Sequence, residues 1–381
     1  MKISDYSYNL PPELIADRPP LERGTSRLLA LNRQSGQIQD RNYSDVIEYL
    51  NSGDVLILND TKVIRSRLFV TKPNGAQREL IILERHQNND WHHHQVMYRG
   101  SLHQGDELRV SESKNGVITE VNHPHYISVS EILGDGLAIV SSEVDLLTLA
   151  NQYGTVPLPP YMNRDATPED IERYQTIFAE HPGSAAAPTA SLNMTDEILG
   201  KLRAKGVIIK YLTLHVGLGT FLPIRTDNIE DHKMHSEFFT IPIDTIQAIK
   251  TAKSSGKRIV ALGTTVARTL EYSANSIFSR IHSAPGSMRR TSRSPHGLSG
   301  EADIFIYPGY KFKLVDTLIT NFHAPGSTVL MLTAAFAGWN NLQYAYSHAI
   351  DHHYSFLSYG DSMIITPSER SIAEGGTGDP F

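Results

Sequence analysis

Apolar and polar positions follow two different textures along this chain, and the change between them divides it. From about Ser66 to Ala150, short apolar runs recur as RLFVTK, ELIILER, HQVMYRG, DELRV, GVITEV, YISVSEI and GLAIVSS. Gly, Asn, Pro and Ser separate them every 8–12 residues or so, roughly the strand spacing of all-β domains. Long helical periodicity is missing there, so the pattern predicts a small antiparallel β-barrel inserted over 66–150. On either side, over 1–65 and 151–381, apolar strands run into Gly or Asn/Thr turns and then into amphipathic helices. That alternation predicts one discontinuous α/β domain, a mixed-sheet α/β sandwich.

Within the α/β parts the units can be placed. GDVLILNDTKVI is an apolar strand running into Asn59, Asp60 and Thr61. A strand ending this way resembles the carboxyl edge of an α/β sheet, where ligands commonly bind. Thr195 reads as an N-cap for the helix TDEILGKLRAK, which ends at Gly206. VIIKYLTLHV then predicts a buried central strand leading into His215, Gly217, Gly219 and Thr220. KMHSEFF places His235 and Glu237 two residues apart, which on a strand points both to one face. IDTIQAIKTAKSS is helical, and KRIVALGTTVARTLEYSA is a strand, then Thr264 and Thr265, then a helix carrying Arg268. Free amides at that helix start suit an anion or a nucleoside. Asn321 and His323 end another apolar run, and Ser327 introduces an apolar helix. GSAAAPTA, with Thr189, reads as a tightly packed loop that a ligand approaches. Residues 278–300 read as a mobile basic loop, and the tail after Pro367 as disordered.

Composition narrows the chemistry. The 381 residues contain no cysteine, which removes disulfides, zinc–thiolate sites, iron–sulfur clusters and thiol nucleophiles together. The first residues hold no apolar signal core, and no run approaches a membrane span. A cytoplasmic protein without a membrane partner is expected, as a monomer. The net charge of −6 announces no nucleic-acid partner, so any basic contact surface must be local. The triplet His92, His93, His94 is a poor metal-ligand set, because neighbours on a strand face opposite sides. It predicts surface histidines, and no metal is expected.

Several stretches together carry a resemblance. DYSYNLPPELIADRP with RGTSRLL, GDVLILNDTKVIRSRL, YGTVPLPPYM, GSAAAPTASL, TLHVGLGTFLPI, MHSEFF, GKRIVALGTTVARTLE, DIFIYPGYKFKLVDTLITNFHAPGSTVLML and SYGDSMII run from residue 5 to residue 366. In this order they resemble the S-adenosylmethionine:tRNA ribosyltransferase-isomerase family of queuosine biosynthesis. The resemblance implies that S-adenosyl-L-methionine is the ribosyl donor. The acceptor would be 7-aminomethyl-7-deazaguanine at the wobble position of tRNA, and the product epoxyqueuosine-tRNA, with adenine and methionine released. It also implies an α/β domain carrying a small barrel.

That chemistry needs a base for the proton on the sulfonium-bearing carbon and carboxylates or aromatic faces near the sulfonium. The candidate catalytic residues are His215, His235, Glu237 and His323, expected to line one cleft, with His215 favoured as the base and Glu237 and Asp361 as alternatives for that role or for neutralising the sulfonium. Asn59, Asp60, Thr61, Thr189, Gly217, Gly219, Thr220, Thr264, Thr265, Arg268, Asn321, Tyr359 and Asp361 are the candidate substrate-binding residues. Arg289, Arg290 and Arg293 are candidates for tRNA contact. The chain departs from the family at Asn193, where relatives usually carry a histidine. Asparagine is no acid or base near neutral pH. The competing expectation is therefore an impaired relative that binds tRNA or S-adenosylmethionine without turnover. An unrelated α/β hydrolase is disfavoured by the absence of a G-x-S-x-G elbow.

Overall fold

The computed structural model describes residues 1–114, 117–217, 224, 226–279, 291–294 and 296–367. In chain order the strands are β1 (Arg27–Asn32), β2 (Ile38–Asn42), β3 (Val55–Asn59), β4 (Thr61–Val63), β5 (Arg67–Thr71), β6 (Gln77–Ile82), β7 (His93–Arg99), β8 (Glu107–Lys114), β9 (Val117–Glu120), β10 (Tyr126–Gly134) and β11 (Leu137–Ser141). There follow β12 (His181–Ser184), β13 (Ile208–Leu214), β14 (Glu237–Pro242), β15 (Ile259–Leu262), β16 (Thr291–Ser294), β17 (Gly297–Ala302), β18 (Thr317–Asn321) and β19 (Ser362–Thr366). The helices are α1 (Leu146–Tyr153), α2 (Pro168–Arg173), α3 (Asp196–Ala204), α4 (Ile243–Ser254), α5 (Thr264–Phe278), α6 (Thr328–Ala337) and α7 (Trp339–Asp351).

Ten strands form one mixed sheet in the order β16-β17-β14-β13-β3-β15-β18-β19-β1-β2. Its middle, β13-β3-β15-β18, is parallel throughout. Every residue of β3, β15 and β18 is buried. Strands covered on both faces must read as continuous apolar runs, and VLILN and IVAL do. One face packs against α4, α5, α6 and α7 through residues such as Ile249, Leu270, Met331 and Tyr346. The other packs against α3 and the segment carrying Tyr43, Val46 and Leu50. The expected mixed-sheet sandwich is present. β13 is not its central strand, however: it lies between β14 and β3, and its first residue, Ile208, is 40% exposed.

A second sheet closes on itself. β10, β11, β7, β6, β5 and β8 are neighbours in that order, and β8 pairs back onto β10, with β9 pairing antiparallel to β8. Alternate residues point inward as Leu68, Val70, Leu80, Ile82, Leu108 and Val110, and Leu146 and Leu149 of α1 add to the same core. This period of two is what made the barrel readable. His92 and His93 are exposed as expected, but His94 is buried. Its Nε2 is 3.0 Å from the Leu83 carbonyl, and its ring lies 4.8 Å from that of Trp91.

The stretch expected as a mobile basic loop is in part regular. Thr291–Ser294 pairs with Gly297–Ala302, which pairs in turn with β14 at the edge of the large sheet. Edge strands are held by backbone hydrogen bonds and tolerate polar side chains, so Ser/Arg/Gly composition did not exclude them. Arg289 and Arg290 lie outside the described residues, as does the tail from 368; Arg293 falls on β16.

Candidate active site

Four neighbouring strand ends point the same way. β3 delivers Asn59, Asp60 and Thr61, β13 delivers His215 to Gly217, β15 delivers Thr264 and Thr265, and β18 delivers Asn321 and His323. Carboxyl ends of parallel strands are where open α/β sheets bind ligands, because the connections there diverge. Asn59 ties two of these ends together. Its Oδ1 accepts the Leu214 amide at 3.0 Å and the Thr61 amide at 3.2 Å, while its Nδ2 donates to the Leu214 carbonyl at 3.0 Å.

A cleft of about 770 Å³ opens at this edge, lined by Val216, Thr264, Thr265, Asn321, Phe322, His323 and the loop Ala187–Ala190, with Tyr161 and Ser358 opposite. Thr189 Oγ1 donates to Asn321 Oδ1 at 3.1 Å. His323 Nε2 lies 2.8 Å from Thr320 Oγ1, and burial pushes its pKa down to about 3. The ring is therefore uncharged near neutral pH. A smaller chamber of about 360 Å³ shares Thr264, Thr265 and Val329 with the cleft and adds Met234, Glu237, Arg268, Phe305, Thr328 and Leu332. Glu237 and Arg268 form a buried ion pair there. Glu237 Oε1 also accepts the Gly217 amide at 2.9 Å. Burial lowers the Arg268 pKa to about 10, still charged at neutral pH.

The four catalytic candidates do not line one cleft. His323 and Glu237 line the two adjoining cavities. His215 lies outside both, because on an extended segment its neighbour Val216 takes the cleft-facing side. Its Nδ1 is 2.9 Å from Thr61 Oγ1, and its ring stacks on Phe238. It faces the barrel junction, where a Cβ on Gly183 would sit 2.9 Å from His215 Cε1 and one on Gly217 2.3 Å from Glu84 Oε1. His235 is exposed. β14 begins only at Glu237, so the strand geometry that would pair the two side chains on one face is absent at His235.

Other candidates hold the scaffold. Tyr359 donates its hydroxyl to Asp170 at 2.8 Å. Asp361 accepts the Arg27 amide at 2.7 Å and the Ser355 amide at 2.8 Å. Asp60 accepts from Thr213 Oγ1 at 2.6 Å. Its pKa is raised, chiefly by burial. Asp60, Glu180 and His181 bring possible metal-ligand atoms within 4.8 Å of one another, with only Asp60 buried. Asn193, the departure from the family pattern, is buried and lines neither cavity. Its Nδ2 donates to the Gly360 carbonyl at 3.1 Å and to Ser362 Oγ at 3.2 Å. Gly219 and Thr220 lie outside the described residues. Sequence reading missed Thr328, Phe305 and the Glu84–His86–Glu301 cluster, where His86 Nδ1 lies 3.1 Å from Glu301. These are single residues contributed by otherwise ordinary strands and turns and, for Thr328, the start of α6, without a local motif.

His215 and His323 together set an acid limit. Burial, followed for His215 by the charges of Arg85, His181 and His86, holds both pKa values near about 3. An unfolded histidine titrates near about 6.5. Below that pH the unfolded chain takes up protons that the folded chain refuses, so stability falls as pH drops toward about 3. The urea midpoint is expected to decline from pH 7 to pH 4, and less steeply in His215→Gln and His323→Gln. Equal slopes in the parent and both variants would contradict this origin.

Comparison with known proteins places the chain in a family. A family model described as queuosine biosynthesis protein matches residues 3–365. The chain is 50% identical over 369 residues to the S-adenosylmethionine:tRNA ribosyltransferase-isomerase of Chlorobium chlorochromatii, covering 96% of this chain and 100% of that one. It is 42% identical to the protein of the same name from Nitrosospira multiformis, covering 97% and 99%. A crystal structure of S-adenosylmethionine tRNA ribosyltransferase from Thermotoga maritima matches with 33% identity and a TM-score of 0.51, covering 95% of this chain and 99% of that one. With a family model spanning nearly the whole length and full-length relatives at half identity, the chain belongs to the queuosine biosynthesis protein family, a family of transferases.

Proposed function

We propose that this protein transfers and isomerises the ribosyl moiety of S-adenosylmethionine onto 7-aminomethyl-7-deazaguanine at the wobble position of tRNA. The product is epoxyqueuosine-tRNA, and adenine and methionine leave. At the site, the observation that carries this reading is the pair of adjoining cavities at the parallel strand ends, with a neutral imidazole in one wall and a buried carboxylate in the other. The proton on the sulfonium-bearing ribose carbon needs a neutral or anionic acceptor, and the developing charge needs fixed partners. His323 is the acceptor in this reading, because among the described candidate imidazoles it alone lines the cleft. Glu237, in the adjoining chamber, supplies a fixed negative charge for the positively charged donor. His215, outside the cavities, keeps a positioning role through Thr61.

Asn193 gives no support to the alternative of a binding-only relative, since its side chain is spent on Gly360 and Ser362. The test is product analysis. Incubation with S-adenosylmethionine and tRNA carrying the aminomethyl-deazaguanine should release adenine and methionine in equal amounts. Appearance of S-adenosylhomocysteine would assign methyl transfer instead, and no product at all would assign binding without turnover.

A further inference from the structure

The adjoining cavities contain buried hydrogen-bonding atoms that no group among the described residues satisfies. Arg268 Nε, Thr328 Oγ1 and Asn321 Nδ2 are buried without a hydrogen-bond partner among the described residues. Their residues are only 7%, 5% and 1% exposed. Buried polar groups are nearly always paired, because leaving one unsatisfied costs its desolvation. Three such donors around two adjoining cavities point to a ligand that brings acceptors. They are also divided in an informative way: Asn321 lines the large cleft, whereas Arg268 and Thr328 line the small chamber.

The small chamber has a definite chemical character. It holds a guanidinium and a carboxylate side by side. The first turn of α5, a helix of 15 residues, opens onto it at Thr264 and Thr265 with no side-chain cap. Met234, Phe305 and Leu332 supply apolar walls. A fixed cation and anion over apolar walls match a zwitterion on a short apolar stem. The guanidinium offers its fork to a carboxylate, and the helix start adds partial positive charge.

We propose that the small chamber is the subsite for the α-amino-acid end of S-adenosylmethionine, an inference that rests on the donor assigned above. Arg268 and Thr328 hold the carboxylate, and Glu237 receives the ammonium group beside its arginine partner. The nucleoside lies in the large cleft, with Asn321 Nδ2 donating to it. The shared wall at Thr264 and Thr265 then flanks the sulfonium, between the two chambers.

The test compares two ligands by calorimetry. S-Adenosylmethionine carries the amino-acid end, and 5′-methylthioadenosine keeps the nucleoside and sulfur without it. Arg268→Gln should weaken S-adenosylmethionine by roughly 10- to 100-fold, the range for a hydrogen bond to a charged group, and leave 5′-methylthioadenosine unchanged. Thr328→Val, nearly the same shape, should show the same selectivity at about 3- to 10-fold and keeps the test alive if Arg268→Gln does not fold. Equal weakening of both ligands, or of neither, overturns the subsite. If the parent protein binds neither ligand, the donor assignment fails, and the subsite fails with it.

Discussion

Turnover of S-adenosylmethionine is expected to fall by about 10²–10⁴-fold in His323→Gln, the usual range for losing a general base. Affinity for the donor should change little, because the glutamine amide can still reach Thr320 Oγ1, the partner of the imidazole Nε2. The separation of effects is the point: a base acts in the transition state and lowers kcat more than it raises KM. His215→Gln is the matched control. Its ring is buried, held by Thr61 and faces the barrel junction, so a loss of less than about tenfold is expected from misplacing neighbours. Single-turnover adenine release, with binding of S-adenosylmethionine measured separately, distinguishes the two. If folded His215→Gln loses turnover while His323→Gln keeps it, the base is His215, and the ring must reach the donor from the barrel side.

The sequence was a good guide wherever one periodicity holds over a whole element. β3 and β15 are unbroken apolar runs because both faces are covered. The barrel strands alternate because one face looks inward. Thr195 accepts the Ile198 amide and Ser327 the Leu330 amide, as expected of N-caps. The 278–300 stretch was misread in part because Ser/Arg/Gly composition does not exclude a strand held at a sheet edge by backbone hydrogen bonds, as Thr291–Ser294 is.

The site was legible as positions and less so as directions. Asn59, Thr264, Thr265, Asn321 and His323 were recognisable because a strand end followed by a polar turn marks the carboxyl edge. Which way each side chain points depends on register. A single step of the chain separates Val216, in the cleft wall, from His215, outside it. Likewise β14 starts at Glu237 rather than two residues earlier, which buries the glutamate and exposes His235. Such offsets are set by which strands pair, and the pairing partners are tens of residues away.

The second large effect concerns stability, at a residue that no motif announces. Glu271 lies one turn after Arg268 on α5 and is 2% exposed. Its Oε1 accepts the amides of Leu314 and Val315, both at 2.9 Å. Its Oε2 accepts the Lys313 amide at 2.8 Å and the Tyr310 hydroxyl at 3.1 Å. One carboxylate thus satisfies three backbone donors of the segment that feeds β18, the strand ending in Asn321. Glu271→Ala strips all three, and each buried unpaired amide, here those of Leu314 and Val315, costs about 1–3 kcal/mol. Water entering the vacated space recovers part of that, so a net loss of roughly 4 kcal/mol is expected. Glu271→Gln should fall between: its carbonyl can keep the pair at Leu314 and Val315, but its amide then meets the Lys313 N–H donor to donor. Urea unfolding followed by circular dichroism orders the three proteins. A glutamine variant as stable as the parent would mean that the Lys313 amide finds another acceptor, and that this carboxylate does not hold β18 in place for Asn321.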